Sequence, residues 1–302
     1  MRAKPERIVV GVADGERSRD AVALARTLAE PTGARLVAAS VLPSISALAG
    51  HAEPREYEDS WRKQASERLA EVEPLLAGLE SYECRVVPGG SPASGLQHLA
   101  EGVGADLVVV GSTHRGVVGR VLAGSIAERL LNGGHRAVAV APRGYGGGEH
   151  RLGVLGVAID GSPEGATALG AAASLARAAG SKLRVITVVE PVFVPPETPM
   201  GPHLDTAELT FQLVRFGQRR LDAALEQLPE DVSAEGVLLE GDPAQMVEAE
   251  SEKLDLLVTG SRGYGPVRSV LLGSVSLHLS RAAACPLLVV PREEAELPAA
   301  AA

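Results

Sequence analysis

Residues 260–274 read GSRGYGPVRSVLLGS: Gly260, two residues, Gly263, nine residues, then Gly273 and Ser274. This spacing suits anion binding. Gly260 eases the turn out of the preceding apolar run, LDLLVT, and Gly263 lets backbone approach a phosphate with no Cβ in the way. Gly273 and Ser274 open the helical stretch that follows, where free N–H groups and the positive end of the helix dipole favour negative charge. Ser274 Oγ either caps that helix or donates to the anion. The pattern is not a Walker loop, because no lysine follows the last glycine. Nor is it a dinucleotide fingerprint, which belongs after the first strand of a half. GVADGE and GVAIDGS, at that place, lack its spacing.

Catalytic chemistry is hard to find. The seven histidines (51, 98, 114, 135, 150, 203 and 278) are scattered and build no metal-ligand spacing. There is no Gly-x-Ser-x-Gly elbow, and no His-x-Gly-His element. Cys285 and Cys84 read as inert thiols, His278 as a surface or packing residue, and Trp61 as a half-buried packing residue. Asp14 and Asp160 can each offer one carboxylate to a metal, but nothing supplies a second acidic ligand. Hydrolysis of a nucleotide needs a placed base, a metal and a water. A ligand here is therefore expected to be sensed rather than turned over, with slow hydrolysis left open.

The elements that must position these residues occur twice. GSTHRGVVGRVLAGS (111–125) matches GSRGYGPVRSVLLGS at eight of fifteen positions, displaced by 260 − 111 = 149 residues. Asp14 aligns with Asp160 and Val41 with Val188, displaced by 146 and 147 residues. A period this long is a duplicated domain rather than a solenoid repeat. The expected boundaries are 1–145 and 150–295, with 296–302 a disordered tail. Gly146, Gly147 and Gly148 between them read as a flexible joint, and the Pro-rich stretch 191–205 as an irregular loop.

Within each half, apolar strands alternate with helical stretches: 7–13 and 153–159, 35–42 and 182–189, 83–88 and 235–240, 106–110 and 255–259, 137–141 and 286–291. That order predicts an α/β chain of two tandem doubly wound domains, each a five-stranded parallel sheet flanked by helices. Ligands of such sheets bind beyond the carboxyl ends of the strands. Asp14 and Asp160 after the first strand, Val41 and Val188 closing the second, and the glycine loops after the fourth all fall at that edge.

The totals agree. At 302 residues the chain has room for about two domains. With 45% hydrophobic but only 3% aromatic residues, the core must be Ala, Val and Leu, which suits parallel sheets under Ala-rich helices. A formal charge of −9 argues against nucleic-acid or anionic-membrane partners. Two lone cysteines make no disulfide framework. No apolar run reaches the roughly 18 residues of a membrane helix. A cytoplasmic location is the default expectation.

The loop GSRGYGPVRSVLLGS, the Asp and Val positions and the final ACPLLVVP resemble the universal stress protein family in its ATP-binding form, over nearly the whole chain as two copies. The resemblance implies a Rossmann-like, adenine nucleotide alpha hydrolase-like fold, a role in the stress response, and ATP, alone or with Mg²⁺, as cofactor. It implies that Asp160 and Val188 contact adenine or ribose, that Gly260 lies by the ribose, and that Arg262, Gly263, Gly273 and Ser274 line the phosphates. In the first copy the matching positions are Asp14, Val41, Gly111, Thr113, His114, Gly124 and Ser125. His114 stands where the second glycine belongs. Its Cβ either blocks the phosphate, or His114 and Arg115 supply side-chain donors instead. Family members pair through their last strands, so strands 137–141 and 286–291 are expected to pair within the chain, and a homodimer of tandems is open. The alternative function is a stress scaffold that binds no nucleotide, above all in the first domain. An adenylyl-transferring or flavin-binding enzyme ranks last.

Overall fold

The structure, a computed structural model, describes residues 4–43, 54–113, 115–133, 135–191, 206–261 and 272–291. The first half runs β1 (Arg7–Gly11), α1 (Glu16–Thr32), β2 (Arg35–Pro43), α2 (Pro54–Val72), β3 (Tyr82–Gly89), α3 (Pro92–Val103), β4 (Leu107–Gly111), α4 (Ser125–Gly133) and β5 (Ala137–Ala141). The second repeats it: β6 (Val154–Ala158), α5 (Pro163–Ala179), β7 (Lys182–Val189), α6 (Thr206–Glu226), β8 (Ala234–Glu240), α7 (Pro243–Ser251), β9 (Leu256–Gly260), α8 (Ser274–Ala282) and β10 (Leu287–Val290).

Local chemistry sets the helix limits. Ser91, Ser162 and Asp242 cap α3, α5 and α7 through their side chains, each followed by a proline that costs no helical hydrogen bond at the first turn. Gly33, Gly104 and Gly180 stop α1, α3 and α5 in the left-handed region, at φ 67, 64 and 65°, where glycine carries no Cβ penalty.

All ten strands join one sheet in the order β3-β2-β1-β4-β5-β10-β9-β6-β7-β8. Neighbours inside each half are parallel. The halves meet through β5 and β10, which run antiparallel with Leu287, Leu288 and Val289 opposite Val140, Ala139 and Val138. Strand residues alternate between two cores. Ile8 and Val10 face a layer built on α1, α2, α5 and α6, while Val9 faces a layer built on α3, α4, α7 and α8. Both layers cross from one half to the other.

The joint between the halves is not the flexible segment its glycines suggest. Residues Tyr145–Gly147 form a short 3₁₀ turn. Both carboxylate oxygens of buried Asp20, on α1, accept backbone N–H groups there, from Gly144 at 2.9 Å and Gly146 at 2.7 Å. The Tyr145 ring is buried and stacked on His150, centroids 3.7 Å apart. A Cβ on Gly146 would come within 2.9 Å of the Arg19 backbone, so this glycine serves close packing on α1 rather than mobility.

Candidate functional site

A cavity of about 380 Å³ opens at the carboxyl ends of β6, β7 and β9, within the range of about 300–1,000 Å³ for small-ligand sites. Its strand floor is Ala158, Ile186, Val188 and Thr259. Asp160 and Ser162 stand at one rim, and Asp242, Pro243 and Ala244 at the start of α7 form another wall. Gly273, Ser274, Val275 and Ser276, the opening of α8, complete it. The site lies between β6 and β9, neighbours in the sheet although far apart in sequence, which is where strand order reverses in a doubly wound sheet.

Asp160, Val188, Gly260, Gly273 and Ser274 are thus brought together on one cavity. Arg262 and Gly263 lie outside the described residues, as does His114 in the first half. The Asp160 carboxylate accepts the Ser162 amide at 3.0 Å and the Ser162 hydroxyl, and its backbone carbonyl accepts Arg220 Nη1 of α6 at 2.5 Å. Ser162 Oγ in turn accepts the Gly165 amide. The acid is therefore fixed at the mouth of the site by the start of α5 and by α6.

Two residues act differently from their sequence reading. Gly260 is not in the left-handed region, so the turn does not require it. Its missing Cβ leaves room for α5, because an added one would sit 2.7 Å from the Glu164 carbonyl. Gly111 plays the same part in the first half, where the Arg17 carbonyl oxygen would be 2.5 Å away. Ser274 is the first residue of α8 rather than its cap. Gly273 holds the cap position and brings no side chain to the first-turn amides, which have no side-chain partner among the described residues. α8 thus presents its N-terminus to the cavity uncapped, unlike α3, α5 and α7.

Sequence reasoning missed Thr259 and Ser276. Thr259 is 3% exposed, lines the cavity, and has no hydrogen-bond partner for its hydroxyl among the described residues. Ser276 Oγ donates to the Gly260 carbonyl at 2.8 Å and ties α8 to the end of β9. A comparison of the two copies carries the signal for both. The first half has Val110 and Ala127 at the matching places, 149 residues earlier (259 − 149, 276 − 149).

The first half arranges the same parts otherwise. The Asp14 carboxylate is engaged by Arg68 of α2 in an ion pair. Val41 packs against α3, with its methyl 2.5 Å from where a Cβ on Gly95 would be. Thr113 donates its amide to the Leu122 carbonyl at 2.9 Å, and Gly116 to Thr113 at 3.2 Å. Leu122 donates to the Ser112 hydroxyl. Val121 and Ala123 donate to Ala283 and Ser280 of the other half, both at 2.7 Å. Gly124 and Ser125 open α4, where Gly124 accepts the Glu128 amide. The central amides of this loop are therefore spent on the protein's own acceptors.

Neither cysteine suits reactive chemistry. Burial, with Asp255 nearby, pushes the Cys285 thiol up to about 12, and burial raises Cys84 as well. Among the described residues no group of three or more His, Cys, Asp or Glu side chains is placed to hold a metal. No described helix is long and apolar enough to cross a membrane.

Fold and cavity together define a tandem α/β protein, largely parallel, with a cavity at the strand ends of its second half. The family model for the universal stress protein family matches residues 5–142 and again 153–291. The chain belongs to that family, as a tandem member. It is 29% identical over 300 residues to a universal stress protein of Mycobacterium tuberculosis, covering 94% of this chain and 99% of that one. It is 33% identical over 141 residues to one of Bacillus subtilis, covering 44% of this chain and 95% of the relative. A solved universal stress protein from Archaeoglobus fulgidus matches with a TM-score of 0.67 at 20% identity, over 95% of this chain and 99% of that one. This last likeness establishes the fold alone.

Proposed function

We propose that the second half binds ATP or another adenine nucleotide, and that the protein acts as a nucleotide-dependent regulator in the stress response rather than as a fast enzyme. The carrying observation is the uncapped start of α8 on the wall of the cavity. Its free amides and dipole suit phosphate. The apolar floor of Ala158, Ile186 and Val188 suits a flat base, and the carboxylate of Asp160 suits ribose hydroxyls or a base amino group. Gly273 and Ser274 hold the phosphates from the helix side, with Arg262 and Gly263 assigned to the same end by family resemblance. Mg²⁺, where present, would offset the charge of the phosphates, with Asp160 able to offer it one carboxylate.

In the first half a scaffold role is favoured by one specific observation. Its loop amides bond within the protein and across to Ser280 and Ala283.

The test is thermal unfolding of the purified protein with ATP, ADP or AMP, with and without Mg²⁺, beside Ser274→Glu. Ligand at 100 times its Kd adds about 2.7 kcal/mol to the native state. Ser274 is exposed at the first turn, so a glutamate there suits the helix dipole and leaves the free protein as stable as before or more so. Its charge repels phosphate, and the nucleotide shift disappears. A wild-type protein that neither shifts with any of these ligands nor releases a nucleotide on denaturation overturns the proposal.

A further inference from the structure

We infer that Arg220, held by Phe216, is a positioning residue of the second site: it fixes the turn that carries Asp160, and through Asp160 it sets the affinity for the nucleoside portion of the ligand. This rests on the nucleotide reading above and adds how the acid at the cavity mouth is kept in place. Arg220 stands on α6, 60 residues along the chain from Asp160, and its Nη1 donates to the Asp160 carbonyl at 2.5 Å. Its Cδ lies 2.9 Å from where a Cβ on Gly161 would be, so the arginine crosses the turn directly over that glycine. Gly161 is in the left-handed region at φ 81°, a conformation that only glycine takes freely. The guanidinium carbon of Arg220 sits 4.9 Å from the centroid of the Phe216 ring, within the range of a cation–π contact.

Phe216 is 53% exposed and belongs to neither core, so its use is not packing. Its ring limits the directions open to Arg220. The neighbouring pair Phe211 and Arg215 has the same spacing, with the guanidinium 5.8 Å from the ring, but Arg215 makes no hydrogen bond among the described residues. The first half shows a different arrangement. There Arg68 of α2 takes the Asp14 carboxylate itself. Gly15, which matches Gly161 at 146 residues earlier, has nothing within 4 Å of the place a Cβ would fill. In the second half the arginine instead covers the turn and bonds the main chain, while the Asp160 carboxylate is met by the Ser162 amide and hydroxyl. Gly161 alone leaves the turn several conformations. Arg220 selects one of them, and a carboxylate already aimed at its ligand loses less freedom on binding.

The test is calorimetric titration of ATP, AMP and adenosine into wild type, Arg220→Ala, Asp160→Ala and the double variant, with urea midpoints of the ligand-free proteins. Arg220→Ala is expected to weaken all three ligands by a similar factor, about threefold to tenfold. The midpoint is expected to move little, because the lost bond is exposed. In the Asp160→Ala background the same change should cost no further affinity, since effects that pass through one group are not additive. Phe216→Leu, at an exposed position where folding is not at stake, gives a smaller loss of the same kind, and Phe211→Leu gives none. Wild-type affinity in Arg220→Ala overturns the inference and leaves the nucleotide reading standing. So does a loss that persists undiminished beside Asp160→Ala, or one that grows from adenosine to ATP and so marks Arg220 as a charge acting on the phosphates. Equal losses in Phe211→Leu and Phe216→Leu assign the effect to α6 as a whole and overturn it too. Failure of wild type to bind any of the three ligands overturns both readings.

Discussion

At the scale of single residues, the glycine that ends the fourth strand of each half answers to helix packing before it answers to any ligand. A Cβ at Gly260 meets backbone atoms of Glu164 at 2.7 Å, and backbone cannot swing aside as a flexible side chain can. Gly260→Ala should cost ~1–3 kcal/mol of stability through forced displacement of α5, read as a lower urea midpoint in the ligand-free protein. An unchanged midpoint would mean that α5 does not pack where it is placed. The buried thiol and phenol give a second residue-scale expectation. Burial pushes Cys285 from about 9.0 up to about 12, helped by Asp255, and pushes Tyr145 from about 10.0 up to about 12. Unfolding returns each group to its ordinary range. Above pH 9 the unfolded chain therefore holds fewer protons than the folded one, and stability falls as pH rises. The contribution is fully present below pH 9 and is lost progressively toward pH 12, at about 1.4 kcal/mol per pH unit for each group that is titrating. Urea midpoints at pH 8 and pH 10.5 measure the slope. The double variant Cys285→Ala with Tyr145→Phe should flatten it, and an equal slope in that variant would place its origin elsewhere.

At the scale of elements, most of the fold was legible because each signal was local. Continuous apolar runs such as Leu107–Gly111 mark strands buried on both faces, and Ser91-Pro92, Ser162-Pro163 and Asp242-Pro243 mark helix starts. Gly33 and Gly180 mark helix ends by the conformation only glycine takes freely. The grouping of residues on the candidate cavity was legible to the same depth. Asp160, Val188, Gly260, Gly273 and Ser274 each lie at or within two residues of the end or start of an element, and such positions gather at one edge of a parallel sheet. Thr259 was not legible, because one hydroxyl inside an apolar strand reads as ordinary strand chemistry until its partners are known. The joint was misread for a related reason. Gly146, Gly147 and Gly148 spell flexibility only when Asp20, more than a hundred residues earlier, is left out of account, since it accepts the amides of Gly144 and Gly146. That carboxylate is 3% exposed and accepts two amides, so both bonds are charge-assisted. Asp20→Ala should cost ~3 kcal/mol and open the stretch between Pro142 and Leu152 to limited proteolysis under native conditions. A variant cut no faster than wild type would show that the joint is held by other means.

At the scale of the whole molecule, the halves are coupled by more than the β5–β10 ladder. The first half's loop lies against the helices that wall the second half's cavity. Arg120 reaches Glu248 of α7 at 3.0 Å and Glu252, the residue that closes that helix, at 2.9 Å, and donates to the Ala282 carbonyl at the end of α8 at 2.8 Å. Glu248 also meets His278 of α8 at 2.6 Å, so one carboxylate joins Arg120 to both helices. The contact has a return partner in Arg281 of α8, 3.1 Å from Glu128 of α4. Exposed ion pairs contribute little alone, but Arg120 also satisfies a terminal carbonyl, and Val121 and Ala123 add backbone bonds across the same boundary. A ligand that orders α7 and α8 therefore acts on a surface the first half is holding. Trp61, the only tryptophan, sits on α2 of the first half and reports that half alone. With nucleotide bound in the second half alone, the urea transition followed by Trp61 fluorescence should still move to higher denaturant together with the transition followed by circular dichroism. Arg120→Ala should lower stability by ~1–2 kcal/mol and reduce the shift that nucleotide gives the Trp61 signal more than the shift it gives the second half. A Trp61 transition that ignores nucleotide in wild type, while circular dichroism records a stabilised second phase, would mean that the continuous sheet and the Arg120 contacts transmit no stability between the halves.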